Sequence, residues 1–110
     1  MRLLIAIAGP YSASTDLQRK KNLDAMNEVA ARIYEKGHIP VIGVNAALFV
    51  TEKLTGENKK NAMMDISLAV VEKCDALLLT GESPGANQER DLILSQGKKI
   101  YFSTDEIPCL

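Results

Sequence analysis

The chain has 110 residues, 46% of them hydrophobic, and a formal net charge of −1 from 13 basic and 14 acidic side chains. That length and composition bound it to one small folded domain, residues 1–110, and argue against a disordered segment. The interspersed charge has no basic stripe for a nucleic-acid polymer, and the apolar runs are too short to span a bilayer, so neither partner is expected.

Leu3 to Ala8 is a continuous apolar run, as in a strand buried on both faces. It is read as a first strand rather than a signal peptide, because Gly9-Pro10 ends it and no cleavage site follows a long enough apolar region. A cytoplasmic location is therefore expected. Ser14, Thr15 and Asp16 offer N-caps for a helix whose apolar positions are Met26, Val29, Ala30, Ile33 and Tyr34, and Gly37 ends it. His38, just after that glycine, is expected to be exposed; it is the only histidine and cannot assemble a metal site alone.

Ile39-Pro40-Val41-Ile42 predicts a second strand, with its proline suited to a sheet edge. Ala46 to Val50 predicts a short helix, and Thr55 to Lys60 a polar loop. Ala62, Met63, Ile66, Ala69, Val70 and Cys74 mark a second long amphipathic helix. Cys74 is expected to be a core thiol and Cys109 to be exposed; their positions show no metal or redox spacing. Ala76 to Thr80 predicts a third strand, about Gly85 to Gln96 a helix ended by Gly97, and Lys99 to Phe102 a fourth strand.

Strands alternating with helices, joined by right-handed crossovers, predict an α/β fold: a small doubly wound parallel sheet in the flavodoxin-like order 2-1-3-4, with helices on both faces. The switch point then falls between strands one and three. Ligands of open α/β sheets bind there. Two turns meet at that point, Gly9 to Thr15 and Gly81 to Gln88. Glu89 follows the second turn and shares the apolar face of its helix with Ala86, Leu92 and Ile93. A carboxylate on a buried face is costly unless something uses it. Read as part of the first helical turn, Glu89 would be held ionised by the N–H groups there, while burial would act in the opposite direction. The plainer alternative is an N-terminal helix acid at the surface.

The segments Ile5-Ala6-Ile7-Ala8-Gly9-Pro10, Gly37-His38-Ile39-Pro40-Val41, Cys74-Asp75-Ala76-Leu77, Ser83-x-Gly85-Ala86-x-x-Glu89 and Gly97-Lys98-Lys99-Ile100 occur in that order. Together they resemble the nucleoside 2-deoxyribosyltransferase superfamily over nearly the whole chain, with the deoxynucleoside 5′-monophosphate N-glycosidases as a related branch. The resemblance implies a nucleoside or nucleotide ligand, a homo-oligomer, and no metal or organic cofactor. It implies that Glu89 is the nucleophile that attacks the anomeric carbon of a 2-deoxyribosyl group. Ser83, Gly85 and Ala86, with the Gly9-Pro10-Tyr11 loop, would hold sugar and phosphate. The residue matching Asp75 would be structural.

The chain also departs from that pattern. Many members have a tyrosine, hydrogen-bonded to the catalytic glutamate, where this chain has Ala6; Tyr11 is the candidate substitute. An aspartate that orients the base is matched in register by Ser67, and the nearest acid is Asp65. Two residues turn a helix by about 200°, so Asp65 joins the site only if the helix is shifted. A module that binds nucleosides or nucleotides without turnover is the alternative function.

Overall fold

The computed structural model describes residues 1–110. The elements run β1 (Leu4–Ala8), α1 (Asp16–Glu35), β2 (Ile39–Val41), α2 (Gly43–Thr51), α3 (Gly56–Val71), β3 (Ala76–Leu79), α4 (Pro84–Ser95) and β4 (Lys99–Tyr101), followed by a 3-10 turn at Thr104–Glu106. All three strand pairings are parallel, and the order is β2-β1-β3-β4, as the sequence predicts. β1 and β3 lie at the centre, with Ile5 opposite Ala76 and Ala8 opposite Leu79. Their side chains are almost wholly buried, which accounts for the unbroken apolar runs. β2 is an edge strand, where the missing N–H of Pro40 does no harm to the ladder.

Alternation along β1 and β3 divides the core in two. Ala6, Ala8, Leu77 and Leu79 point to one face and pack with Val71 and Cys74 beside α3, and with Ala86 and Ile93 of α4. Ile5, Ile7, Ala76 and Leu78 point to the other and pack with Met26 and Ile33 of α1 and with Ile107. Helices therefore cover both faces. Burying a Leu or Ile side chain in this way stabilises the fold by about 1.5–3 kcal/mol each. Asp75 pins the entry to β3: its carboxylate accepts from the Leu4 N–H at 2.8 Å, and its own N–H donates to the Leu4 carbonyl at 2.7 Å.

Three expectations are corrected. His38 is buried, not exposed: Nδ1 accepts from the Leu3 N–H at 3.0 Å, and Nε2 lies 2.7 Å from the Pro108 carbonyl. This sets a neutral ring with Nδ1 as acceptor and Nε2–H as donor. The segment that covers it, Ile107 to Leu110, is tied down further by the Leu110 N–H on the Lys36 carbonyl and by Lys36 Nζ on the Ile107 carbonyl. Thr55 to Lys60 is not a loop, since α3 starts at Gly56 and takes in those polar residues as its solvated first turns. Tyr34, assigned to the apolar face of α1, is exposed, because the buried stripe is carried by Met26 and Ile33.

Candidate functional site

The turn before α4 is built by its own sequence. Ser83 sits in extended conformation at the N-cap, and its Oγ accepts from the Ala86 N–H at 3.1 Å. Pro84 takes the first helical position, where its missing N–H costs nothing. The helix therefore starts before Gly85, and Glu89 falls in its second turn rather than its first. That overturns the expectation that the helix start holds this carboxylate ionised, because the helix-end effect fades within the first turn.

Burial decides instead. Glu89 is 7% exposed and shares the inward face of α4 with Ala86 and Ile93. Desolvation alone pushes its carboxyl up from 4.5 to about 7. The neighbouring Arg90 does not offset this, since its guanidinium is engaged by Glu82 and Asp91, each at 3.1 Å. Near neutral pH, Glu89 is thus divided between a neutral acid and a carboxylate. Cys74, the other perturbed group of the interior, is pushed up to about 11 by burial and is an inert core thiol at neutral pH.

Glu89 opens onto a cavity of about 220 Å³ at the switch point between β1 and β3. Gly9, Tyr11 and Ser12 line it from the first turn, and Ser83, Pro84, Gly85 and Ala86 from the second. Met63, Met64 and Ser67 of α3 and Val44 of α2 complete the wall. Gly9 is buried where a methyl group would collide with Thr80 Oγ1, so only glycine lets the two turns close up. At Gly85 an added Cβ would meet only Met64 Sδ, at 3.4 Å, an ordinary contact. A larger and more open depression of about 560 Å³ lies between α3 and α4, lined by Leu68, Ala69, Glu72, Gln88, Asp91 and Leu92. Its titratable groups, Glu72 and Asp91, are exposed acids, so it lacks the buried carboxyl of the Glu89 cavity.

Of the residues singled out in the sequence, the structure gathers Gly9, Tyr11, Ser83, Gly85, Ala86 and Glu89 around this one cavity. Pro10 is not among them. It is exposed and lines a separate hollow with Asn22, Met26 and Thr80, while its ring abuts Gly81. Asp65 is not among them either: it is exposed on α3, and the helix keeps the unshifted register that turns Ser67 inward. Tyr11 is half-buried against the α1 side of the core, and no hydrogen bond joins its hydroxyl to Glu89. The sequence reading missed Met63, Met64 and Val44 as wall residues, and Gly43, which packs against Ser67 and Glu89 behind the wall. Spacing held the signal for two of them, since Met63, Met64 and Ser67 share one helix face at i, i+4 and i+3. There is no group of three or more His, Cys, Asp or Glu placed to hold a metal ion, and no helix is long and apolar enough to cross a membrane.

The fold and site define a doubly wound α/β domain with a desolvated carboxyl in a cleft between the two turns at its switch point. The chain belongs to the family described as domain of unknown function DUF4406, which matches residues 4–102 and so includes every wall residue of the cavity. No curated protein matches the sequence.

Proposed function

We propose that this protein cleaves, or transfers the sugar across, the N-glycosidic bond of a 2-deoxynucleoside or its 5′-monophosphate, as its resemblance to the nucleoside 2-deoxyribosyltransferases implies. The observation that carries the reading is the position of Glu89: buried, facing a cavity at the switch point, with its carboxyl raised to about 7. A carboxyl in that state is ionised in a large fraction of molecules at neutral pH and is not quenched by a protein cation. Both properties suit a nucleophile.

In the first step a Glu89 carboxylate oxygen bonds to C1′ as the C1′–N bond breaks. The electron pair of that bond leaves with the base, whose nitrogen takes up a proton from solvent, and the attacking water or base of the second step gives one back to it. In the second step water or another base attacks C1′ and the carboxylate departs. The transition state of each step is oxocarbenium-like and is stabilised by the adjacent negative charge. Ser83 would serve the sugar's 5′ end. Its Oγ already accepts from the Ala86 N–H, which leaves its O–H free to donate to a phosphate or hydroxyl oxygen. The start of α4 adds a positive dipole end suited to an anion.

One observation favours a second reading, binding without turnover: no hydroxyl is hydrogen-bonded to Glu89, and Ala6 stands where many of the resembled enzymes carry a tyrosine. The deciding experiment incubates the protein with purine and pyrimidine 2-deoxynucleosides and their 5′-monophosphates and follows free base by chromatography. Base release that Glu89→Gln abolishes supports the enzyme. Binding of intact ligand, with no base released, supports the module.

A further inference from the structure

The segment that walls the Glu89 cavity beyond β1 is not held by its own backbone. Gly9 is packed against Thr80, and Thr15 caps α1 by accepting from the Gln18 N–H at 3.1 Å. Between these anchors, none of Pro10 to Ser14 takes part in a backbone–backbone hydrogen bond. Two side chains of α1 supply what the backbone lacks. Asn22 Nδ2 donates to the Tyr11 carbonyl at 3.0 Å, and the Arg19 guanidinium donates to the Ala13 carbonyl. The Asn22 amide is itself oriented. Its Oδ1 accepts from Gln18 Nε2 at 2.9 Å, which turns its N–H groups toward the segment. Asn22 follows Gln18 and Arg19 at i+4 and i+3, so the three share one side of α1. The segment is also thin. Tyr11 and Ser12 face the Glu89 cavity, whereas Pro10 and Asn22 line the hollow of about 230 Å³ behind it. Asn22 therefore holds the wall from behind and is not among the residues that line the Glu89 cavity.

We propose that Asn22 is a positioning residue: with Arg19, it clasps the Pro10–Ser14 segment in the place where Tyr11 and Ser12 wall a ligand beside Glu89. The inference rests on the proposed function. A surface segment with no backbone hydrogen bonds of its own is free to open unless side chains hold it. Held, it presents its wall preformed. Released, it must be ordered again at each binding event, and affinity falls by the cost of that ordering. Ground state and transition state meet the same wall. Glu89 is carried by α4 and packed against Gly43, neither of which the clasp touches. The clasp thus acts on KM and leaves kcat alone.

Two substitutions separate this role from folding. Asn22→Asp keeps the shape and replaces the donor with a carboxylate that repels the Tyr11 carbonyl. Asn22→Ala removes the donor and, because alanine is the better helix former, should melt no lower than wild type. Backbone amide relaxation by NMR, read without any ligand, should show Tyr11 to Ser14 as ordered as α1 in wild type and mobile in both variants. Steady-state base release is then followed for purine and pyrimidine 2-deoxynucleosides and their 5′-monophosphates. The expected result is a KM raised about tenfold in Asn22→Asp and by less in Asn22→Ala, with kcat within about twofold of wild type. For a ligand that binds without turnover, Kd takes the place of KM. Amides equally ordered in all three proteins, a KM that does not rise, or a kcat that falls with it would overturn the clasp. If wild type neither binds nor cleaves any of these compounds, the proposed function has failed. The relaxation data then decide the clasp by themselves, mobile variant amides upholding it and unchanged ones ending it.

Discussion

Replacing Glu89 with glutamine removes the charge while keeping the shape, and the consequence for stability can be worked out in advance. In the folded protein the carboxyl titrates at about 7 because burial penalises its ionised form; in the unfolded chain it titrates near 4.5. Between those values the folded state holds the proton that the unfolded state has lost. Stability therefore falls as pH rises across that window. Each pH unit is worth about 1.4 kcal/mol, so the window amounts to about 3 kcal/mol. Below 4.5 both proteins carry a neutral side chain and should be nearly equal in stability. Above about 7 the wild type should be the weaker by about 3 kcal/mol, with no further change, while Glu89→Gln has no such dependence. Urea unfolding of both proteins from about pH 5 to about pH 8.5 measures the difference and cancels every other titrating group. A difference that does not vary with pH would mean that the carboxyl is solvated. A difference that shrinks as pH rises would mean that a partner holds it charged. Either result would refute the desolvation argument.

Activity should follow the same group in the opposite sense. If ionised Glu89 is the nucleophile, kcat/KM should climb with pH up to about 7 and then level off; a profile already flat from pH 5 contradicts that role. Ser83→Ala should lower stability by about 1 kcal/mol through loss of the α4 cap, whereas Ser83→Asp should keep the cap and weaken binding of a deoxynucleoside 5′-monophosphate far more than of the free nucleoside. Equal losses for both ligands would place the 5′ end elsewhere. Gly9→Ala should destabilise by about 1–3 kcal/mol, because its methyl must displace Thr80; a neutral melt would show that the two turns are not in contact. His38→Ala should cost about 2 kcal/mol or more by stranding the Leu3 N–H and releasing the Pro108 carbonyl, measurable as a lower urea midpoint.

The sheet was legible because its central strands carry continuous apolar runs and the helices between them carry helical spacing. Right-handed crossovers set the parallel sheet with helices on both faces, the flavodoxin-like strand order was an expectation that a topology of this kind permits, and the position of the cavity followed from that order. Glu89 stood out because a carboxyl on an inward face contradicts its surroundings. Its charge state was not legible, because it turns on how deeply the fold buries the carboxyl and on no cation reaching it, which the packing of distant segments decides. His38 was misjudged because what buries it comes from the far end of the chain, through Ile107 and Pro108. The α2 side of the cavity was invisible for a similar reason. Gly43 looks like ordinary punctuation after a strand until Ser67, 24 positions later, is folded against it.

The central claim is that Glu89 bonds to the anomeric carbon of a deoxyribosyl group. Intact-protein mass spectrometry, on samples quenched in acid soon after mixing with pyrimidine and purine 2-deoxynucleosides and their 5′-monophosphates, tests it most directly. The account predicts a covalent deoxyribosyl adduct, carrying the phosphate where a monophosphate is the substrate, on the peptide containing Glu89 and missing from Glu89→Gln. Base release without any adduct on that peptide, or an adduct that survives the substitution, would contradict it.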